Sequence, residues 1–256
     1  MFSGRMSSRR KAKEEGEKPF WISYADLMTA LMVLFLVVMS VSLLVITREL
    51  LEQQKELVIA KQMMDALKAK RENRQKAIDD VMVTLDNASN TAKFSGKVHI
   101  GKDQRIVEFG EAAQFNKGDY HLSEGANTLR EFVPIILKAV EGETGKLWFK
   151  QVVVEGFTDT DGSYLYNLDL SLKRAQSVVC ALMDSSSQNS LSIEQQKRVQ
   201  EIFLVGGFSF NSAKESKTAS RRVELRLDFQ TIEENELNID ENKKMISIDV
   251  GKCQIK

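Results

Sequence analysis

One apolar block dominates the hydropathy pattern of this chain. From Leu27 to Thr47 no residue carries a charge and nearly all are apolar. About 20 such residues are what an α-helix needs to cross a bilayer core. Residues 20–46, FWISYADLMTALMVLFLVVMSVSLLVI, therefore read as one transmembrane helix, and no other stretch of the chain approaches its hydrophobicity. Its core exceeds the usual signal-peptide length and no small-x-small site follows Ile46, so an uncleaved anchor is expected. Ser23, Asp26, Thr29 and Ala30 recur at spacings of three and four and share one helix side. That side is small and polar, the kind that packs on other helices rather than on lipid. Phe20, Trp21 and Tyr24 stand at the edge of the block, where aromatic belts form.

The pattern then changes period. Residues 47–92 contain neither Pro nor Gly and are rich in Glu, Lys, Gln and Met. Leu50, Leu57, Met64, Ile78 and Leu85 fall on a seven-residue spacing that Arg71 interrupts, with Ala60, Leu67 and Val81 at the companion positions. This predicts a helical stalk, either one strand of a dimeric coiled coil with a polar break or a lone solvated amphipathic helix.

From Lys93 strands and helices alternate. Residues 98–100, 105–109, 147–155, 202–205 and 222–229 read as strands, and 123–140, 163–183 and 193–199 as helices. Ser123 is a candidate cap of the first of these helices, and Pro134 is expected to kink or divide it. The mixed order predicts an α+β domain over 93–230, a sheet with helices packed on one side. The tail, 231–256, is polar and acidic, then apolar again at 245–250, where it could add a strand or help pair chains.

Charge orients the molecule. Arg5, Arg9, Arg10, Lys11, Lys13 and Lys18 outweigh Glu14, Glu15 and Glu17 in the tail 1–19. By the positive-inside rule that tail is cytoplasmic and everything after Thr47 lies across the membrane. Over the whole chain 36 Lys and Arg balance 36 Asp and Glu, which argues against nucleic-acid binding by bulk charge. Cys180 and Cys253 would be free thiols in a reducing cytosol. In an exported domain they could bond, or stay unpaired if the fold keeps them apart. His99 and His121 are too few for a histidine-based metal site or nucleophile, and Gly206-Gly207 reads as a turn, since no Lys-Ser/Thr follows in register. No catalytic set, metal site or cofactor site emerges, so an enzyme is not expected.

Asp26 is the candidate for chemistry in the membrane. A carboxylate at the centre of a span costs about 2.5–3.5 kcal/mol, less toward an end. One reading is an interfacial residue that snorkels to water. The other is a proton carrier: protonation removes a charge from a low-dielectric site, so each passage could change the contacts the helix prefers. Only a two-state partner could turn that change into work.

The run Pro19-Phe-Trp-Ile-Ser-Tyr-Ala-Asp26-Leu-Met-Thr29-Ala resembles the membrane helix of MotB-type stator proteins. The resemblance implies that Asp26 carries the coupling ion, a proton, and that two copies of the chain sit within a ring of five MotA-like partners. Residues 97–229 resemble an OmpA-like peptidoglycan-binding domain, through Val154-Glu-Gly-Phe-Thr-Asp159-x-x-Gly162-Ser-x-x-Tyr-Asn167-x-x-Leu170-Ser-x-x-Arg174-Ala and Ser220-Arg-Arg222-Val-Glu-Leu. That resemblance implies that Asp159 and Arg174 grip the diaminopimelate of the peptide stem, with Asn116 and Arg222 at weaker positions. An acid suits the ligand's ammonium, and a guanidinium fork suits its carboxylate. Without the motif, the same two residues would read as a surface ion pair. Phe157 replaces the family's usual His or Tyr.

Together the two motifs imply a stator subunit in the bacterial inner membrane, with its C-terminal domain in the periplasm and fixed to the wall. The short basic start and the Met- and Glu-rich stalk are most similar to the ZorB family of Zorya anti-phage defence. A flagellar MotB is the alternative, and a passive OmpA-like envelope anchor is a third reading, in which Asp26→Asn would be harmless.

Overall fold

The computed structural model describes residues 20–122, 125–237 and 253. The basic tail 1–19, the cap expected at Ser123 and the apolar patch 245–250 lie outside the described residues, as do the side chains of Phe20, Trp21, Ile22 and Ser23. The chain separates into two units, 1–66 and 67–256.

The first helix, α1 (Phe20–Ser89), runs 70 residues without interruption. With no Pro or Gly between Phe20 and Ser89, nothing in the sequence breaks it at Thr47. In the first unit its apolar stretch is long enough to cross a membrane, and none of that stretch is buried. The hydroxyls of Ser40 and Thr47 donate to the carbonyls of Leu36 and Leu43 at 2.7 and 2.6 Å, so neither polar side chain needs a partner outside the helix.

In the second unit the end of α1 becomes part of a core. Ala77, Ile78, Val81, Met82 and Leu85 are buried there. The sheet comprises β1 (His99–Gly101), β2 (Ile106–Glu108), β3 (Phe149–Gly156), β4 (Phe203–Gly207) and β5 (Val223–Phe229), in the order β1-β2-β5-β3-β4. Only β3 and β4 are parallel. A parallel pair needs a crossover. Here it contains α4 (Tyr164–Met183) and α5 (Ile193–Ile202). Ser163 caps α4 by accepting from Tyr166 N, and Ser192 with Gln195 forms a capping box on α5.

The core face of the sheet carries Val152, Val154, Leu225 and Leu227, packed in one cluster with Leu129, Phe132, Val133, Ile136, Val178 and Leu182 of the helices. The other face is polar: Arg226 pairs with Glu155 at 2.6 Å and with Asp228 at 3.2 Å. Helices therefore cover one side, as the strand alternation requires. The second helix, α2 (Gly125–Val140), passes through Pro134 undivided. Proline forfeits one backbone bond, but the buried row Leu129, Phe132, Val133, Ile136, Leu137 and Val140 holds both halves to the same core. Three short helices, α3 (Gly145–Trp148), α6 (Lys217–Ser220) and α7 (Ile232–Leu237), were not expected from periodicity.

Two glycines set how near α4 lies to the sheet. A Cβ at Gly156 would stand 1.9 Å from the Ser171 carbonyl oxygen, and one at Gly207 would stand 2.8 Å from Leu172 N. No larger residue fits either place without moving the helix. On α4, Cys180 forms a disulfide with Cys253, across 73 residues of sequence.

Candidate functional site

Helix α4 carries Arg174 on its buried side, and the loop after β3 carries Asp159 beside it. Arg174 is fully buried. Its Nε donates to the Asp119 carbonyl at 2.8 Å, Nη1 to that of Phe157 at 2.9 Å and Nη2 to that of Asn116 at 3.1 Å. Its guanidinium carbon lies 5.0 Å from the centre of the Phe115 ring. Burial pulls its pKa down to about 10, with the Asp159 charge acting in the opposite direction, so it remains a cation at neutral pH. Three carbonyls take three of its five donors. One N–H is left on each terminal nitrogen, a pair suited to a carboxylate.

The Asp159 carboxylate is also nearly buried. One oxygen accepts from Asp161 N at 3.1 Å, and the other from Arg221 Nη1 at 2.9 Å. Among the described residues Asp159 and Arg174 make no direct ion pair; Arg221 stands as the partner of Asp159. Arg221 Nε also donates to the Phe115 carbonyl at 2.9 Å, so both arginines tie themselves to the 115–119 segment.

Asn116 contributes its main-chain carbonyl, while the residue itself is exposed. Arg222 is not brought to Asp159. Its Nε donates to Glu224, its Nη1 to the Ser212 carbonyl at 3.2 Å, and its guanidinium lies 4.3 Å from the Phe157 ring centre. Arg221 caps the C-terminus of α6 and Arg222 leads into β5, and the two neighbours point apart, Arg221 to Asp159 and Arg222 to Glu224. Phe157, the position at which the sequence departs from the resembled pattern, is the surface on which Arg222 stacks.

Further side chains join the site. Asp161 lies between Lys117, at 2.9 Å, and Lys217. Hydrogen bonds from Lys217, then Lys117, hold its carboxyl pKa down to about 2. This latch joins the 116–120 loop, the 157–163 loop and α6. Asn167, 1% exposed, donates Nδ2 to the Asp161 carbonyl at 2.9 Å. The Asn167 Oδ1 and the Thr158 hydroxyl are buried without a described partner. Buried polar atoms normally have one. One lies in the residue before Asp159 and the other on α4, against the backbone of Asp161. With Arg174 covered, a carboxylate reaches its free N–H groups only when a loop above it gives way.

In the first unit α1 is exposed on every side, and Asp26 shares one helix face with Thr29, Ala30, Val33, Leu34, Val37 and Val38. Thr29 turns its hydroxyl back to the Asp26 carbonyl oxygen at 2.8 Å. The Asp26 carboxylate therefore has no partner among the described residues, on a helix otherwise built for lipid or for other helices.

Residues 6–67 match the family of membrane MotB of the proton-channel complex MotA/MotB, and residues 114–221 match the OmpA family. An apolar helix bearing a lone carboxylate, followed by this sheet domain, is thus a MotB-type protein with an OmpA-like domain. Over 244 residues the chain is 45% identical to the Zorya protein ZorB of Escherichia coli O139:H28 (strain E24377A / ETEC), covering 94% of this chain and 93% of that one. The chain belongs to the ZorB family. Similar solved structures include the OmpA-like domain of FopA1 from Francisella tularensis subsp. tularensis SCHU S4, at 22% identity and TM-score 0.35 over 52% of this chain and 82% of that one. Another is the periplasmic domain of MotB, at 15% identity and TM-score 0.36 over 54% and 72%.

Proposed function

We propose that this chain is the wall-anchored, proton-carrying stator subunit of an inner-membrane motor that acts in anti-phage defence. The observation that carries the reading is the presence, in one chain of the ZorB family, of an unpartnered carboxylate in an apolar helix and a buried Asp159–Arg221–Arg174 cluster. Neither alone specifies a motor; a proton site tied to a fixed anchor does.

On this reading residues 1–19 form a cytoplasmic tail, 20–46 the span, 47–92 a stalk whose end, from Ala77, packs into the core of the periplasmic anchor 93–230, and 231–256 a tail. The Cys180–Cys253 disulfide suits an oxidising compartment such as the periplasm. A MotA-like protein, five copies around a dimer of this chain, surrounds α1 and supplies the two-state partner. Protons are the coupling ion and no other cofactor is required. Peptidoglycan is the anchor: Asp159 takes the ammonium of a diaminopimelate residue and Arg174 its carboxylate, with Arg221 giving up part of its hold on Asp159 as the ammonium arrives. The chain performs no covalent chemistry.

Co-sedimentation with purified peptidoglycan tests the anchor. Asp159→Asn keeps the side chain's shape and removes its charge, so the bound fraction should fall by about tenfold, the scale of one lost charge-assisted hydrogen bond. Free diaminopimelate should compete with the unaltered protein. Unchanged binding by the variant would remove Asp159 from the site.

A further inference from the structure

We infer that the part of α1 just beyond the membrane is a parallel, in-register seam for a second copy of this chain, formed by Leu50, Leu57, Ala60 and Met64. The proposal deepens the dimer reading above and rests on it, by saying where and how the two copies meet.

The stripe is apolar and unpartnered. Leu50, Leu57 and Met64 are 51%, 69% and 68% exposed on a single helix. They repeat every seven residues, with Ala60 at the companion position, the spacing that turns one helix edge toward a partner helix. Charge says what that partner is. In a parallel two-stranded coil the residue flanking one core position faces the residue five places further along the other chain. Here those residues are Glu56 and Lys61, opposite in sign, and two-fold symmetry makes the pair twice. An antiparallel partner would set Glu56 against the acid-bearing edge of its mate. Continuity gives the same orientation independently: α1 is unbroken from the apolar span through Met64, so two copies inserted alike leave the membrane side by side and pointing the same way.

The same repeat shows where the seam stops. After Leu67 the next two core positions are Arg71 and Arg74, and a seam extended there would face four guanidinium groups into one another. Arg74 instead donates Nε to the Gln230 carbonyl at 2.6 Å, and the following repeat positions Ile78, Val81 and Leu85 are buried in their own domain's core. One heptad pattern is thus read between chains first and within a chain afterwards.

The test is cysteine cross-linking of the full-length chain in native membranes, with the Cys180–Cys253 bond left intact. Leu57→Cys and Met64→Cys place thiols on the seam, whereas Lys55→Cys and Gln62→Cys place them on the opposite side. Mild oxidation should give interchain disulfide from the first pair at least about fivefold above the second, as expected of core against outward heptad positions. In the Leu57→Cys background, Glu56→Lys should reduce the yield by about threefold and the exchange Glu56→Lys with Lys61→Glu should restore it, a charge cycle in which each pair is worth a fraction of a kcal/mol. Native mass spectrometry of the detergent-solubilised chain separates the two claims. A dimer whose four positions cross-link equally, or whose exchange fails to restore the yield, overturns the seam and leaves the dimer standing. A monomer overturns both.

Discussion

Arg174 serves the fold and the candidate site with the same atoms. Its three donated hydrogen bonds hold the carbonyls of Asn116, Asp119 and Phe157, each on a loop at the mouth of the site. Leaving a buried acceptor unsatisfied costs about 1–3 kcal/mol. Arg174→Ala is therefore expected to lose roughly 3 kcal/mol or more of domain stability in denaturant titrations, and a binding defect in that variant would not by itself implicate the ligand. Asp161 has a pH signature. Its two lysines depress the folded carboxyl pKa to about 2, below the ordinary value of 3.8. Its contribution is fully present above about pH 4 and is lost as pH falls toward 2, because the unfolded chain takes up the proton first. Asp161→Asn should flatten that limb: the gap in urea midpoint between wild type and variant closes between pH 5 and pH 2. A constant gap would contradict the latch. At this scale Asp159 and Arg174 were legible because they sit in a long gapped pattern. Arg221 was not, since Arg221 and Arg222 are adjacent and chemically identical, and only the phase of the chain entering β5 decides which one faces Asp159. Asn167 stood in the same pattern, but nothing in a sequence announces an unsatisfied amide oxygen.

Helix α4 sits close on the sheet because Gly156 and Gly207 leave room for its backbone. That approach carries Arg174 into the loops, so element packing sets site geometry. Gly156→Ala puts a methyl where the Ser171 carbonyl stands and forces the helix outward. A loss of about 3 kcal/mol is expected, seen as a fall in Tm of roughly 5–10 °C by calorimetry. The disulfide acts on the far side of the same helix. Closing 73 residues of chain, it should stabilise the domain by roughly 2–4 kcal/mol, and Cys180→Ser should lose that amount in denaturant titrations run without reductant. The regular elements were readable from their periods, since strands of five to eight residues and helices of ten to twenty leave a clear trace. Helices α3, α6 and α7 have only four to six residues, too few for a period to register. The heptad row gave the helix of α1 but could not say that Ile78, Val81 and Leu85 turn into their own domain, because an apolar stripe looks the same whichever partner it meets.

At the scale of the whole molecule, the proposed function joins a proton step in one unit to an anchor in the other. Moving one elementary charge through 100 mV supplies about 2.3 kcal/mol. That energy can bias a partner between two packings only if the subunit carrying Asp26 is itself held still, and the OmpA-like domain offers the means. A motor needs both parts, whereas a passive anchor needs only the second. The measurement that separates them is proton flux into vesicles holding the chain together with its MotA-like partner, wild type against Asp26→Asn, with complex assembly checked by co-purification. The variant is expected to assemble normally while its flux falls to the background of empty vesicles. Flux equal to wild type in an intact Asp26→Asn complex would contradict a proton-carrying Asp26.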